Sequence, residues 1–406
     1  MSSPNGSSAG LRIDPILLKA RLRGGLFWLH SWLGLTVGFV LALIGLSGAL
    51  MAFEDPIMEA LSPGVARVAP SPRPVLTPDA LLARFVAQNP DARPTTLTLR
   101  SQPGASPQVT FASLAEPKAK ARKLYLDPYE GRVLGPATGE TFFATVRQFH
   151  RYLLLPGDGE GWGRRITGVT AICLVFFVLT GLYLRWPRRV LDWKVWLKPN
   201  LKLKKRGLYW SLHSVVGTWV LPVYLVIALT GLTWSYDGYR AVFQRVLTGS
   251  APEAEPAAAK TEKPAKATAS PKAAPPSLDK VFAAVSQGGP REVILTIPKT
   301  AKAPVRVRTL AQAAPHERAF DEWRVDARSG QVVERQAYAE RSLGEKIVYA
   351  RLAVHRGAFF GPVGATLFML AAAAMALFPI TGLLLRLGRT QAARRKRASV
   401  SPQTSS

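Results

Sequence analysis

The sequence predicts an α-helical integral membrane protein: four transmembrane helices form a duplicated parallel repeat and carry two small α+β modules on one side of the membrane. Three observations lead there. Four apolar runs, 27–53, 166–186, 209–236 and 363–385, each reach or approach the ~20 residues that cross a hydrocarbon core. Basic residues crowd the short segments at alternate ends of these runs. The chain also repeats itself: His30 is followed by Ser31, Gly34, Ser47-Gly48 and Glu54, and His213 is followed at the same offsets by Ser214, Gly217, Thr230-Gly231 and Asp237.

Orientation follows from the basic segments. Arg12, Lys19, Arg21 and Arg23 precede the first run; Arg185, Arg188, Arg189, Lys194, Lys198, Lys202, Lys204, Lys205 and Arg206 separate the second and third, against Asp192 alone. Arg386, Arg389, Arg394, Arg395, Lys396 and Arg397 follow the fourth. Four crossings put all three clusters on one side, and the positive-inside rule makes that side the cytoplasm. Both termini are then cytoplasmic, in a multi-pass protein of a bacterial inner membrane, and the two long segments are periplasmic. The net charge of +27 is largely this topological signal. The remainder is spread without interleaved aromatics, which argues against nucleic acid and leaves membrane lipids as the partner of the basic tail.

In chain order, 1–26 is a cytoplasmic segment, disordered over 1–10 and laid along the inner surface over 11–26. The first span, 27–53, has the basic start of a signal peptide but is too long for its apolar core. Residues 54–165 hold the first outer module and an interfacial helix: a helix over 77–88 capped by Thr77, strands at 95–100, 108–112, 123–126 and 132–134, and a turn at Asp127-Pro128-Tyr129-Glu130-Gly131. The second span, 166–186, a basic loop over 187–208 and the third span, 209–236, follow. Residues 237–362 hold an Ala/Pro/Lys-rich linker over 251–276 and the same module again, with a helix at 277–285 and strands at 292–297, 305–310, 322–326 and 331–334. The fourth span, 363–385, leads into the basic tail, 386–406. Each half ends alike, Arg147-Gln-Phe-His150-Arg151 ahead of Thr180-Gly-Leu-Tyr-Leu-Arg185, and Arg351-Leu-Ala-Val-His355-Arg356 ahead of Thr381-Gly-Leu-Leu-Leu-Arg386. The implied symmetry axis lies along the membrane normal.

Four of the five histidines therefore occupy symmetric positions. His30 pairs with His213 near the cytoplasmic face, and His150 with His355 near the outer face. Imidazoles buried in apolar spans are costly unless ligated or paired, and two imidazoles are the axial set of a low-spin haem suited to electron transfer. Two b-type haems, one per pair, would make a wire across the membrane. Gly34 and Gly217, one turn from the inner histidines, would admit a flat macrocycle or equally serve helix packing, and the Ser/Thr-Gly pairs near the helix ends read as packing too. Arg151 and Arg356 would pair with haem propionates or with lipid phosphates. His316 has no counterpart and is expected in a solvated loop. Cys173 stands alone, so no internal disulfide forms. No Gly-x-Gly-x-x-Gly follows a strand, no Cys-x-x-Cys-His or cysteine set is present for covalent haem or iron–sulfur, and no zinc cluster is visible. Electrons must come from another protein or a lipid-soluble carrier.

These motifs carry a resemblance. Leu29-His30-Ser31-Trp32-Leu33-Gly34, Leu212-His213-Ser214-Val215-Val216-Gly217 and the histidines ahead of the later spans make the chain similar to the PepSY-associated transmembrane-helix family over nearly its whole length. The resemblance implies that the outer modules are of PepSY type and that the chain is a haem-dependent membrane oxidoreductase. Such an enzyme reduces ferric chelates, in particular ferric siderophores, with electrons from the quinol pool or a cytoplasmic reductase. Glu54, Asp237, Trp234 and Tyr236, at the outer ends of the first and third spans, are candidates to line the docking surface or to anchor the helices in the interface. Two other functions fit: a membrane-anchored PepSY unit that binds a partner or inhibits a protease without being an enzyme, and the cytochrome b subunit of another oxidoreductase.

Overall fold

The computed structural model describes residues 15–116, 119–250, 276–298, 300 and 303–398, with side chains described to 391 in the last helix. The expected disordered start, nearly all of the linker and the end of the tail lie outside the described residues. Helices α1 (Pro15–Met51), α5 (Trp162–Arg185) and α7 (Arg206–Ser235) cross the membrane in single pieces, and α12 (Gly361–Ala374) with α13 (Leu377–Ala398) makes the fourth crossing. Short helices fill the ends: α2 (Glu54–Ala60), α4 (Glu140–Tyr152), α6 (Trp193–Leu197), α8 (Asp237–Thr248), α10 (Leu343–Tyr349) and α11 (Arg351–His355), with α3 (Pro78–Gln88) and α9 (Leu278–Val285) on a β-sheet. The expectation that residues ahead of 27 lie flat on the membrane gives way to one helix from Pro15. Leucine, lysine, alanine and arginine are strong helix formers that outweigh the cost of Gly24-Gly25, and Pro15 suits a first turn. At 37 residues α1 is about 55 Å long, so it projects well beyond an apolar core of ~30 Å.

The sequence places two outer modules; the structure joins them in one antiparallel sheet. Its order is β4-β3-β2-β1-β5-β6-β7-β8, where β1 is Ala92–Arg100, β2 Gln108–Ser113, β3 Arg122–Leu126, β4 Val133–Gly135, β5 Glu292–Thr296, β6 Val305–Leu310, β7 Phe320–Val325 and β8 Val332–Gln336. Read outward from the β1–β5 seam, where Leu97 lies opposite Leu295, the two halves have the same order. Separate modules would each expose an edge strand there, and pairing removes both edges. Alternation puts Leu97, Val109, Leu295, Val307 and Val325 on one face, all fully buried under Leu81 and Phe85 of α3 and Val281 of α9. The tight turns form as their sequences require: the Asp127 carboxylate accepts the N–H groups of Tyr129 and Glu130, the Asp326 carboxylate those of Arg328 and Ser329, and Gly131 and Gly330 take positive φ.

Across the seam the helix starts cap one another. The Asp79 carboxylate accepts from the N–H groups of Leu278 and Asp279 and from the Ser277 hydroxyl, while the Asp279 carboxylate accepts from the Asp79 N–H at 2.9 Å. Asp79→Ala strands these donors at the start of α9, and a loss of about 1–3 kcal/mol is expected in denaturant unfolding of the intact protein.

The break in the fourth crossing has a local cause. Pro379 has no N–H for the Met375 carbonyl, and the chain tightens so that Met375 N–H bonds Ala372 rather than Ala371. The Tyr224 hydroxyl of α7 donates to the Ala371 carbonyl at 2.8 Å in its place. Gly45 of α1 packs on the same spot, where an added Cβ would stand 2.6 Å from the Ala372 oxygen. Tyr224→Phe removes that donor, and thermal unfolding in detergent is expected to show a loss of about 1–2 kcal/mol.

Candidate cofactor site: two histidine pairs

The four helical crossings bring the symmetric histidines together in two pairs. At the end rich in basic residues, the His30 ring of α1 and the His213 ring of α7 have centroids 6.5 Å apart. At the sheet end, His150 of α4 and His355 of α11 are separated by 6.3 Å. An imidazole nitrogen ligates a transition metal at about 2 Å, and the ring centre lies about 1 Å behind it, so two imidazoles across one metal have centroids about 6 Å apart. Both pairs have that spacing.

Each imidazole has its Nδ1 held by a hydroxyl. His30 meets Thr180 of α5 at 2.8 Å, His213 meets Thr381 of α13 at 2.7 Å, His150 meets Ser47 of α1 at 3.1 Å and His355 meets Thr230 of α7 at 2.9 Å. The direction of these bonds is fixed by where the hydroxyl protons go. Thr180 donates to the Phe176 carbonyl at 2.6 Å, Thr381 to Leu377 at 2.7 Å, Thr230 to Val226 at 2.6 Å and Ser47 to Ile44 at 2.8 Å. A hydroxyl has one proton, so each accepts from Nδ1–H. The Ile44 carbonyl, 2.9 Å from His150 Nδ1, has no proton at all and gives the same answer. With the proton on Nδ1, the lone pair lies on Nε2, where a metal can take it.

The residue after each hydroxyl is a glycine, and its place explains the Ser/Thr-Gly pairs. An added Cβ at Gly48 would stand 3.0 Å from His150 Cε1, at Gly181 3.6 Å from His30 Cε1 and at Gly231 3.5 Å from His355 Cε1; at Gly382 it would meet nothing within 4 Å. The dipeptide thus supplies an acceptor, and at Gly48 alone would a Cβ crowd the ring; at Gly181 and Gly231 it would make an ordinary contact. Packing is also matched at the inner pair: Phe177 and Phe378, three residues before Thr180 and Thr381, present edges to His30 and His213 at 5.4 and 5.2 Å. At the outer pair Trp234 takes that role beside His355, at 5.4 Å. Burial holds the outer imidazoles below their usual pKa, His355 down to about 3 with His150 adding to the effect.

The donor set discriminates between metals. Among the described residues no group of three or more His, Cys, Asp or Glu gathers round a common point. Two imidazoles leave a zinc site two ligands short, whereas a haem brings four nitrogens and asks the protein for two axial ones. No protein atom comes within 4 Å of a Cβ built at Gly34, and at Gly217 only Phe378 does, at 3.4 Å. The residues present fit bis-histidine haem.

The remaining candidates are placed as follows. Arg356 donates to the carbonyls of Met51 and Ala52 at the end of α1 and lies 3.7 Å from Glu317. Arg151 is exposed, with its guanidinium over Tyr152. Glu54 accepts from Arg147 at 2.8 Å, and Arg147 also pairs with Glu140. Asp237 is exposed and paired with Arg164 and Arg240, and Tyr236 packs against Gly168. Of these four outer-end residues, Trp234 is the one in ring contact with a histidine. His316 is not solvated. It is 7% exposed, its Nδ1 accepts the Arg318 N–H, and its Nε2–H donates to the Tyr338 hydroxyl at 2.8 Å. The loop folds over the apolar patch of Phe320 and Tyr338, and this long-range burial is invisible in local sequence.

The hydroxyl partners of the histidines are residues that the sequence alone reads as packing. Their signal was present, as the same dipeptide at four matched positions. The curated proteins contain no match to the chain. The profile of the PepSY-associated TM region matches residues 27–389, a stretch that includes all four histidines and all four hydroxyls, and the chain belongs to that family.

Proposed function

We propose that the protein is a dihaem transmembrane electron-transfer enzyme that reduces ferric chelates, ferric siderophores among them, at the sheet end. The supporting observation is the set of four Nδ1–H to hydroxyl bonds, which leave four Nε2 lone pairs in two pairs of ligand spacing. A rigid anchor has no use for four matched tautomers. Each haem, when bound, supplies a one-electron Fe(III)/Fe(II) couple. The chain's own residues hold and insulate that couple: His30 and His213 at one depth, His150 and His355 at another, with hydroxyls fixing ring orientation and Phe177, Phe378 and Trp234 excluding water. Seventeen residues separate His30 from Ser47 and His213 from Thr230, about 25 Å of helix, so the two pairs stand near opposite faces.

The matched halves of the sheet and of the helices support an origin by duplication, with each half of the sheet a PepSY module. Basic clusters support an inner-membrane protein with cytoplasmic termini and a periplasmic sheet. The electron donor is then a quinol or a cytoplasmic reductase. Reduction to Fe(II) loosens oxygen-donor chelation, because hard oxygen sites hold the smaller and more highly charged ion better. Trp234, which packs on His355, and Arg151 and Arg356, which follow the outer histidines, would serve with Glu54, Asp237 and Tyr236 at the outer ends of the spans as the polar and aromatic surround of the outer pair.

The test is a dithionite-reduced minus oxidised spectrum of protein purified from haem-replete cells, with a pyridine haemochrome assay. About two b-type haems per chain, oxidised by a ferric chelate in stopped flow, is the expected result. Haem-free protein would overturn it and leave a non-enzymatic anchor.

A further inference from the structure

The second half of the sheet carries a charge imbalance that the electron path does not use. On the face away from α3 and α9, Arg308 of β6 lies between Ile294 and Glu322 in register, and its guanidinium rests on the Phe320 ring at 5.2 Å. It is half-buried, and burial pulls its pKa below the usual arginine value, with Arg306 and Arg318 near enough to add repulsion. The neighbouring acid is already engaged, because Glu322 accepts from Arg306 at 2.7 Å. Tyr349 of α10 lies beside Arg308, and burial pushes its phenol pKa up. The Arg341 guanidinium covers the Tyr349 ring at 3.9 Å; its Nη2 donates to Gln336 at 2.9 Å while its Nε is buried without a partner, and the buried Tyr349 hydroxyl faces Glu322.

The guanidiniums of Arg306, Arg308 and Arg318 thus crowd together, and the Glu322 carboxylate among them is ion-paired with Arg306. The other half of the sheet is not built this way. There Thr110 pairs with Thr96 as Arg308 pairs with Ile294, and the arginine at its seam, Arg100, is matched from β5 by Glu292 at 3.0 Å. Guanidinium held out of water without a counter-charge is unfavourable. Forked N–H donors beside a phenol are the groups that bind planar oxyanions.

The geometry points to a binding site for the carboxylate or phenolate oxygens of an anionic ferric chelate, formed by Arg308, Arg341 and the Tyr349 hydroxyl under the second half of the sheet. This rests on the chelate-reductase function proposed above, in that the bound oxyanion is taken to be the substrate's. The site stands beside the outer histidine pair: Tyr349 immediately precedes the Ala350–α11 segment that ends in His355, and Arg318 follows Glu317, which pairs with Arg356 at 3.7 Å. The substrate class it selects is net anionic, citrate-like or catecholate-like, rather than a neutral or cationic trihydroxamate.

Gallium(III) chelates test this without electron transfer. Full-length protein in an uncharged detergent is titrated with gallium(III) citrate and with gallium(III) desferrioxamine, followed by tryptophan fluorescence and calorimetry. Gallium citrate is expected to bind, with about tenfold or greater weakening in Arg308→Gln and most of the affinity kept in Arg308→Lys; the cationic complex is expected to bind more weakly and to ignore both changes. Arg341→Gln provides a second variant if Arg308→Gln fails to fold. Equal binding of the two complexes, or gallium citrate binding unchanged in folded Arg308→Gln and Arg341→Gln, overturns the site. So does an Arg308-dependent signal given by phosphatidylglycerol in place of gallium citrate, which would assign the cluster to a lipid headgroup. Haem content separates the two levels: with two haems and no citrate binding the reductase function stands and the anion site falls, whereas Arg308-dependent citrate binding in haem-free protein does the reverse.

Discussion

In His213→Ala the haem content of the purified protein is expected to fall from about two per chain to about one, and His355→Ala is expected to remove the other one. The pairing makes the pattern of double variants more telling than either single change. His30→Ala combined with His213→Ala should lose no more haem than His213→Ala alone, because the two rings lie 6.5 Å apart and, in the proposed function, serve one centre. His213→Ala combined with His355→Ala should lose both. Loss of an axial imidazole removes far more affinity than loss of a group behind it, so a drop of about 100-fold or more in haem retention is expected. His316→Ala is the internal control: the ring is buried and hydrogen-bonded to Tyr338, yet it belongs to neither pair, and haem content should not change. Haem measured by pyridine haemochrome after extensive washing decides the matter. A full complement in His213→Ala, or additive losses within one pair, would sink the assignment of two bis-histidine centres.

How much of this is legible in the sequence depends on the range of the interaction. The spans, the basic clusters and the modules' strands are local patterns, and α3 with its Thr77 cap or β6 at Val305–Leu310 could be read from a dozen residues. The histidine pairs were legible because the halves of the chain repeat, so that equivalent residues should meet across an axis. Three features were not legible. The β1–β5 seam joins residues some two hundred apart, and nothing within β1 says what covers its edge. His316 lies in a loop as its sequence suggests, but its burial comes from Tyr338 and Phe359, well downstream. The break between α12 and α13 combines Pro379, visible in sequence, with Gly45 and Tyr224 on two other helices. The hydroxyl partners fall between these cases. Thr180 and Thr381 were seen as repeated, but only the carbonyl acceptors at Phe176 and Leu377 reveal which way their protons point.

Those directions set up the second large effect. Thr180→Val keeps the shape of the side chain and removes the acceptor for His30 Nδ1–H, leaving a donor unpaired in the apolar interior. A loss of about 10–100-fold in haem affinity at the inner centre is expected, with Thr381→Val equivalent through His213. The midpoint potential of that centre should also rise, because an imidazole that no longer shares its N–H is a poorer electron donor and favours Fe(III) less. Thr180→Ser restores the acceptor and should restore both affinity and potential, an outcome that a purely structural role for the methyl group would not give. The outer centre should respond differently. His150 Nδ1 lies 2.9 Å from the Ile44 carbonyl as well as 3.1 Å from Ser47, so Ser47→Ala leaves a backbone acceptor in place and is expected to cost little. The contrast is measured by redox titration of the haem bands in the four variants. Equal shifts in Thr180→Val and Ser47→Ala, or none in either, would show that the hydroxyls merely fill space, while a large inner and a small outer effect follows only if the imidazole N–H is what they hold.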